Sequence, residues 1–118
     1  MRATITAIAI ALGLSVAVPV WAAPEKYTWD GHGGGKSAKC PTYPMHIELV
    51  ADGGKVTGWW QQKGRTVRKF DFAVGADGGS AGPVSIEAGV MNVKGNVGAD
   101  PAIALTGYCD FGGKLKKN

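Results

Sequence analysis

Glycine-containing turn signals recur along this chain and leave room only for short strands between them. The chain has 19 glycines in 118 residues, and Asp-Gly or Gly-Gly pairs separate short runs of β-branched and aromatic residues. This pattern is typical of antiparallel β-structure, because tight hairpin turns need residues that accept a positive φ angle. We find no segment with the 3.6-residue apolar period of an amphipathic helix. The sequence therefore predicts an all-β fold.

The spacing of the turn signals predicts seven strands and a shorter eighth. They lie at Lys26–Asp30, Met45–Val50, Lys55–Gln62, Thr66–Val74, Val84–Ala88, Val90–Asn96, Ala102–Cys109 and Phe111–Lys116. We expect a small antiparallel meander barrel of about seven to eight strands, with a sandwich as the alternative. The core is predicted to contain Trp29, Ile47, Leu49, Val56, Trp60, Phe70, Phe72, Ile86, Val93, Ile103 and Leu105.

Two hairpins allow a prediction of register. A two-residue turn at Asp52-Gly53 pairs Ala51 with Gly54 and sets His46 opposite Trp59. A three-residue turn at Lys63-Gly64-Arg65 was preferred for the next hairpin, because it turns the phenylalanines of the following strand toward the core. That register places Phe70 beside Gly58, where the missing side chain leaves room for the ring, and Lys69 beside Trp59.

The first residues have the pattern of a secretory signal peptide. Arg2 provides a positive start, an apolar run follows from Ile5 to Val20, and cleavage is predicted after Ala22. The apolar run is shorter than the roughly 20 residues that span a bilayer, so we predict no membrane span after cleavage. Residues 1–22 are thus the predicted signal peptide, and residues 23–118 a single β-domain with a glycine-rich loop at 31–44. A periplasmic or secreted location follows.

The two cysteines, Cys40 and Cys109, are the only ones in the chain. In an oxidising compartment they are expected to form one disulfide, which joins the start of the domain to its end. A loop of about 70 residues closed in this way contributes roughly 4 kcal/mol by chain entropy.

The charge balance limits the classes of partner. The chain carries a net charge of +4 at pH 7, which falls to +3 when Arg2 leaves with the signal peptide. A mildly basic exported domain favours acidic glycans, lipids or acidic protein surfaces, and falls short of a nucleic-acid-binding signature. We therefore expect no nucleic acid as partner and no cofactor. A monomer is predicted, or a weak homodimer through an unpaired strand edge.

Two glycine-rich motifs resemble parts of serine hydrolases, but their context excludes that chemistry. His32-Gly33-Gly34-Gly35 matches an oxyanion-hole loop, and Gly78-Gly79-Ser80-Ala81-Gly82 matches a nucleophile elbow. The elbow requires a helix after its serine, and none is predicted there; both histidines also precede Ser80, against the hydrolase order. His46 and Glu48 share a strand face but have no nucleophile or third metal ligand at a suitable spacing. We predict no catalytic residues and no metal site.

The outer face of the hairpins carries the best candidate binding surface. An outward-facing Trp59 is flanked by His46 and Lys69, and Arg65 and Arg68 add positive charge near the hairpin end. Tryptophan and arginine are frequent anchors of binding surfaces. A solubilising basic rim and a tryptophan that covers a neighbouring loop are the alternatives.

A pattern of turn residues and cysteines covers most of the predicted domain. It consists of Trp29-Asp30-Gly31, Cys40, the run from Asp52 to Gly58, and Cys109. The pattern resembles small uncharacterised exported single-disulfide β-rich proteins of Gram-negative bacteria. That resemblance implies the compartment and the fold, and no activity or functional residue. In size and architecture only, the predicted barrel is similar to avidin-like and bacterial protease- or lysozyme-inhibitor domains.

These features predict an exported, non-enzymatic binding module that recognises an envelope or extracellular protein, glycan or lipid through a β-hairpin surface. If it is an inhibitor, Gly31–Pro44 is the loop expected to protrude. The alternative is an envelope structural or stress protein without a specific ligand.

Overall fold

The computed structural model describes residues 24–87 and 89–118, which form strands joined by turns and one short 3₁₀ helix. The strands are β1 (Glu25–His32), β2 (Pro44–Asp52), β3 (Lys55–Gln62), β4 (Arg68–Ala73), β5 (Gly79–Ile86), β6 (Gly89–Asn96), β7 (Ala102–Thr106), β8 (Asp110–Lys114) and β9 (Lys116–Lys117). The 3₁₀ helix, Cys40–Thr42, lies between β1 and β2. The predicted signal peptide at residues 1–22 lies outside the described residues. Of the part that is described, no stretch forms a helix with the length and apolar character needed to cross a membrane.

The strands form two antiparallel sheets in which neighbours in the chain are almost always neighbours in space. The five-stranded sheet has the order β9-β1-β2-β3-β4, and the four-stranded sheet has the order β5-β6-β7-β8. The all-β class and the meander order are thus confirmed. The predicted closed barrel is wrong for the described residues, because β4 and β5 belong to different sheets. Two antiparallel sheets, which share one hydrophobic core, are present instead.

β4 and β5 follow one another in the chain but are not hydrogen-bonded to each other. The ring of Phe72 lies against Gly82, and any Cβ at that glycine would collide with it. The ring of Phe72, in β4, thus packs against β5, with which β4 forms no ladder of hydrogen bonds. Pro83 follows in β5, and proline is confined to edge strands because it cannot donate to a second neighbour.

Both sheets contribute to a single hydrophobic core. Eight predicted core residues are buried, namely Ile47, Leu49, Val56, Trp60, Phe70, Val93, Ile103 and Leu105. Trp29, Phe72 and Ile86 are only partly buried and pack against that core. The core-residue prediction left out Tyr27, Met45, Met91 and Phe111, which are also buried.

The first hairpin differs from its predicted register by two residues. Asp52 pairs with Lys55, so the turn consists of Gly53-Gly54 rather than Asp52-Gly53. Gly53 has a φ of 65°, which a glycine adopts without strain. Because the shift is an even number, each residue keeps the sheet face that it was predicted to have. His46, however, lies opposite Gln61 instead of Trp59.

The second hairpin has its predicted register. Gly58 pairs with Phe70, and Trp59 pairs with Lys69. A Cβ at Gly58 would lie 2.5 Å from the Phe70 ring, so this glycine does make room for the aromatic side chain. The strand itself begins later than predicted, at Arg68.

The disulfide between Cys40 and Cys109 is confirmed, with 5.7 Å between the Cα atoms. It attaches the loop between β1 and β2 to the turn between β7 and β8. Close by, the Gly34 N–H donates to the Asp110 carbonyl at 2.7 Å, and the Asp110 N–H donates back at 2.9 Å. The connection between β1 and β2 is therefore attached to the four-stranded sheet at two places.

The C-terminal strands link the β1 side of the five-stranded sheet to the β8 edge of the four-stranded sheet. The predicted strand Phe111–Lys116 is divided by Leu115 into β8, in the four-stranded sheet, and β9, in the other. β9 pairs with β1 through Lys116 opposite Thr28. The predicted strand Val84–Ala88 also differs, because β5 already begins at Gly79 and Ala88 lies outside the described residues.

Candidate functional site

Trp59 lies in the middle of β3 on the outer face of the five-stranded sheet, where it is partly exposed. Lys69 is its direct neighbour on β4. The ring centroid of His46, on β2, lies 5.2 Å from that of Trp59 at an interplanar angle of 51°. Three of the predicted binding residues thus form one surface, which we call the Trp59 surface: His46, Trp59 and Lys69.

The Trp59 surface also contains two carboxylates. Glu48 lies directly opposite Trp59, and Asp30, on β1, lies directly opposite His46. Glu48 had been recognised in the sequence as sharing a strand face with His46. Asp30 was missed as a site residue, because the long connection between β1 and β2 gives no turn from which their register can be derived.

His46 is held by a carboxylate at each ring nitrogen. Its Nε2 lies 2.8 Å from Glu48 Oε2, and its Nδ1 lies 2.5 Å from Asp30 Oδ1. The hydrogen bond with Glu48 raises the pKa of His46 most strongly; partial burial opposes this, and Asp30 adds to the increase. The protonated imidazole therefore fits this position, since each nitrogen then donates to a carboxylate.

This arrangement is unsuited to acid–base catalysis by His46. A general base needs a free ring nitrogen within reach of its substrate, and both nitrogens are engaged here. Ser80, the serine of the hydrolase-like motif, lies within β5 and pairs with Gly95. Across residues 24–87 and 89–118, no three side chains of the His, Cys, Asp and Glu types are grouped so that they could hold a metal ion.

Two shallow hollows flank the Trp59 surface. One, of about 380 Å³, extends beyond His46 toward the ends of the first three strands and is lined by Asp30, His32, Pro44 and Lys63. The other, of about 180 Å³, lies beside Trp59 and Lys69 and is also lined by Glu48, Val50 and Thr57. Trp59 thus lines one of these depressions and His46 lines the other, and the lining of each includes both a carboxylate and a lysine.

Arg65 and Arg68 do not belong to the Trp59 surface. Successive strand residues face opposite sides of a sheet, so Arg68 points away from the face that carries Lys69. Both arginines line a small cleft between the two sheets, together with Gln62 and Tyr108. The alternation along β4 could have separated the arginines from Trp59 in the sequence, whereas nothing in it indicated that Tyr108 lies near them.

A further depression lies over the outer face of the four-stranded sheet. It has a volume of about 480 Å³, and its lining includes Ser80, Ala81, Lys94, Ala102 and Ala104. The small side chains around Lys94 create this depression. This depression was not predicted, since the strand that contains Val84 was expected to begin only at that residue, whereas β5 begins at Gly79.

Searches against protein-family models, curated proteins and solved structures found no match to this chain.

Proposed function

We propose that this protein is an exported, non-enzymatic binding module that uses the Trp59 surface to recognise a partner of the envelope or the extracellular space. The partner is a protein, or an acidic glycan or lipid. The observation that carries the proposal is the position of Trp59, a partly exposed aromatic ring on an outer sheet face that lines a depression of about 180 Å³.

Three physical properties support binding at this position. Tryptophan offers a large contact area at a low cost in side-chain entropy, which is why it is common among the residues that dominate binding energies. The His46 ring lies 5.2 Å from that of Trp59 in a tilted arrangement and is itself held by two hydrogen bonds, so this part of the surface is preorganised. Lys69 supplies a positive charge on the other side.

The proposed location, periplasmic or secreted, fits the disulfide between Cys40 and Cys109. The proposed location also rests on the predicted signal peptide and on the resemblance to small exported single-disulfide proteins. We propose a monomer or a weak homodimer, because the free edge of β4 carries Lys69 and Asp71, and charged edge strands oppose strand-to-strand association.

Capture from an envelope extract tests the proposal. The oxidised protein is immobilised beside its Trp59→Ala variant, and the same pair is applied to arrays of acidic glycans and to vesicles with anionic lipids. Val90→Ala is the matched control, since Val90 is an exposed apolar residue of the four-stranded sheet. Thermal unfolding shows whether each variant is folded.

Retention of one partner by the wild type and by Val90→Ala, with loss by a folded Trp59→Ala, supports the proposed site. Equal retention by all three proteins contradicts it. Retention of nothing from the extract, the arrays or the vesicles favours the alternative, an envelope structural or stress protein without a specific ligand.

A further inference from the structure

A polar cleft between the two sheets lies apart from the Trp59 surface. It opens where β3 ends, β4 begins and the turn between β7 and β8 approaches, and its volume is about 70 Å³. A water molecule occupies about 30 Å³ in the liquid, so the cleft has room for a group of a few heavy atoms. The polar groups that line it are Gln62, Arg65, Thr66, Arg68, Glu87 and Tyr108.

Gln62 provides a buried amide with unused hydrogen-bonding capacity. Its exposed fraction is 5%, and its Oε1 accepts a hydrogen bond from the hydroxyl of Tyr108. Within residues 24–87 and 89–118, the Nε2 of this side chain has no hydrogen-bond partner. A buried donor without a hydrogen-bond partner lowers the stability of a folded protein by about 1–3 kcal/mol. A polar group bound in the cleft would remove this cost.

Two guanidinium groups face the same cleft. Burial raises the pKa of Tyr108, while the nearby charges of Arg65 and Arg68 act in the opposite direction. Both arginines also line the cleft together with Tyr108. A planar guanidinium matches the geometry of a carboxylate and can donate to both of its oxygens.

A carboxylate of the chain itself already occupies the rim. Glu87 Oε1 lies 3.4 Å from Arg68 Nη2, beyond the 2.7–2.9 Å typical of a charge-assisted hydrogen bond. The Glu87 side chain is 84% exposed, whereas that of Arg68 is 27% exposed. Glu87 is thus a loosely attached partner that an incoming anion can displace.

We propose that this cleft binds a small monocarboxylate, with its oxygens held by Arg65, Arg68 and the Gln62 amide. The two arginines and the single rim carboxylate leave one net positive charge, which matches a monovalent anion. The volume admits an acetate-sized group. The site is independent of the Trp59 surface and adds a small-molecule ligand to the proposed recognition of a partner.

Titration of the oxidised protein with sodium acetate, followed by two-dimensional NMR, tests the proposal. Sodium chloride at the same ionic strength is the reference, and sodium sulfate tests for a general anion site. We expect saturable shifts at the backbone amides of Gln62 and Tyr108 with acetate, and none that saturate with chloride. Saturation by sulfate at equal or lower concentration would overturn the choice of a monocarboxylate.

Three variants locate the site. Arg68→Gln and Arg65→Gln are each expected to weaken acetate binding by about tenfold, the loss of one charge-assisted hydrogen bond. Lys69→Gln, next in the chain but on the other sheet face, is expected to leave it unchanged. Glu87→Gln is expected to tighten binding several-fold, because it removes the competing carboxylate while keeping the side chain's shape.

The proposal is overturned if acetate produces no saturable shifts, or if Lys69→Gln weakens binding as much as Arg68→Gln does. An unchanged affinity for acetate in Glu87→Gln would show that acetate does not displace the Glu87 side chain from Arg68. Acetate titration of Trp59→Ala separates the two proposals, since that variant retains acetate binding even if the Trp59 surface has no partner.

Discussion

Substitution of Gly58 by alanine is the sharpest test of the packing between β3 and β4. A Cβ at this position would lie 2.5 Å from the Glu48 carbonyl oxygen and 2.5 and 2.9 Å from two atoms of the Phe70 ring. Favourable contacts between heavy atoms lie at about 3.5–4.0 Å, so the new methyl group overlaps its neighbours by about 1 Å. The ring of Phe70 can tilt, but the backbone oxygen can move only with its strand.

The expected cost follows from this overlap. Overpacking of a dense core costs about 1–3 kcal/mol, and the backbone contact places Gly58→Ala in the upper half of that range. For a domain of this size, each kcal/mol lowers Tm by about 4–8 °C, so we expect a decrease of roughly 10–20 °C. Thermal unfolding followed by circular dichroism measures it.

Gly54→Ala is the matched control in the same pair of strands. A Cβ at Gly54 meets nothing within 4 Å, and this glycine does not have a positive φ. Its Tm is expected to stay within a few degrees of the wild type. A Gly58→Ala protein with the same Tm as Gly54→Ala would refute the close approach of Phe70 to β3. Addition of Phe70→Leu to Gly58→Ala should recover part of the loss, since it removes the ring that the methyl group strikes.

Three further outcomes are expected. Replacement of both cysteines by alanine removes a bridge across 69 residues and lowers the free energy of unfolding by about 4 kcal/mol, which urea denaturation measures. Because its carboxylate partners raise the pKa of His46, its contribution to stability is complete below the unfolded value near 6.5 and is lost as pH rises through the folded value. Between pH 5 and 9, the Tm of the wild type should therefore decrease as pH rises through this range. The decrease should be absent in His46→Gln and still present in the control variant His32→Gln. Gly33→Ala brings a Cβ to 2.6 Å from the Cys40 carbonyl oxygen and should lower Tm, whereas Gly34→Ala, with 3.9 Å to its nearest neighbour, should not.

The strand pattern and the local pairings were predictable because they depend on short-range rules. Alternation of apolar residues put Ile47, Leu49 and Trp60 in the core, and the two-residue period kept their faces correct even where the turn was displaced. The pairing register of the second hairpin was predicted because it is the one that turns Phe70 inward, although β4 begins only at Arg68.

The way the sheets meet was not predictable by the same rules. A closed barrel and a pair of sheets share one strand order, and the difference depends on long-range contacts such as that of Phe72 with Gly82. Pro83 was a usable signal for an edge strand, but the early part of β5 was hidden by its glycines and small residues.

The candidate site was predictable only in part. His46, Trp59 and Lys69 meet because adjacent hairpins fix their positions. Arg65 and Arg68 were assigned to the same surface from their closeness in the chain, whereas their partners Gln62 and Tyr108 are 46 residues apart and meet only through the packing of the two sheets.

The pairing of β9 with β1 affects the order in which the molecule can form. Lys116 and Lys117 hydrogen-bond beside Thr28 and Tyr27, residues from the opposite end of the described chain. Contacts between such distant segments form slowly, because a long loop must close before they contribute. One edge of β1 can pair with β2 early, but the edge that β9 covers stays open until Lys116 and Lys117 have been synthesised. A chain still emerging from the ribosome before that point therefore exposes the unpaired edge of β1, where another strand could add to the sheet.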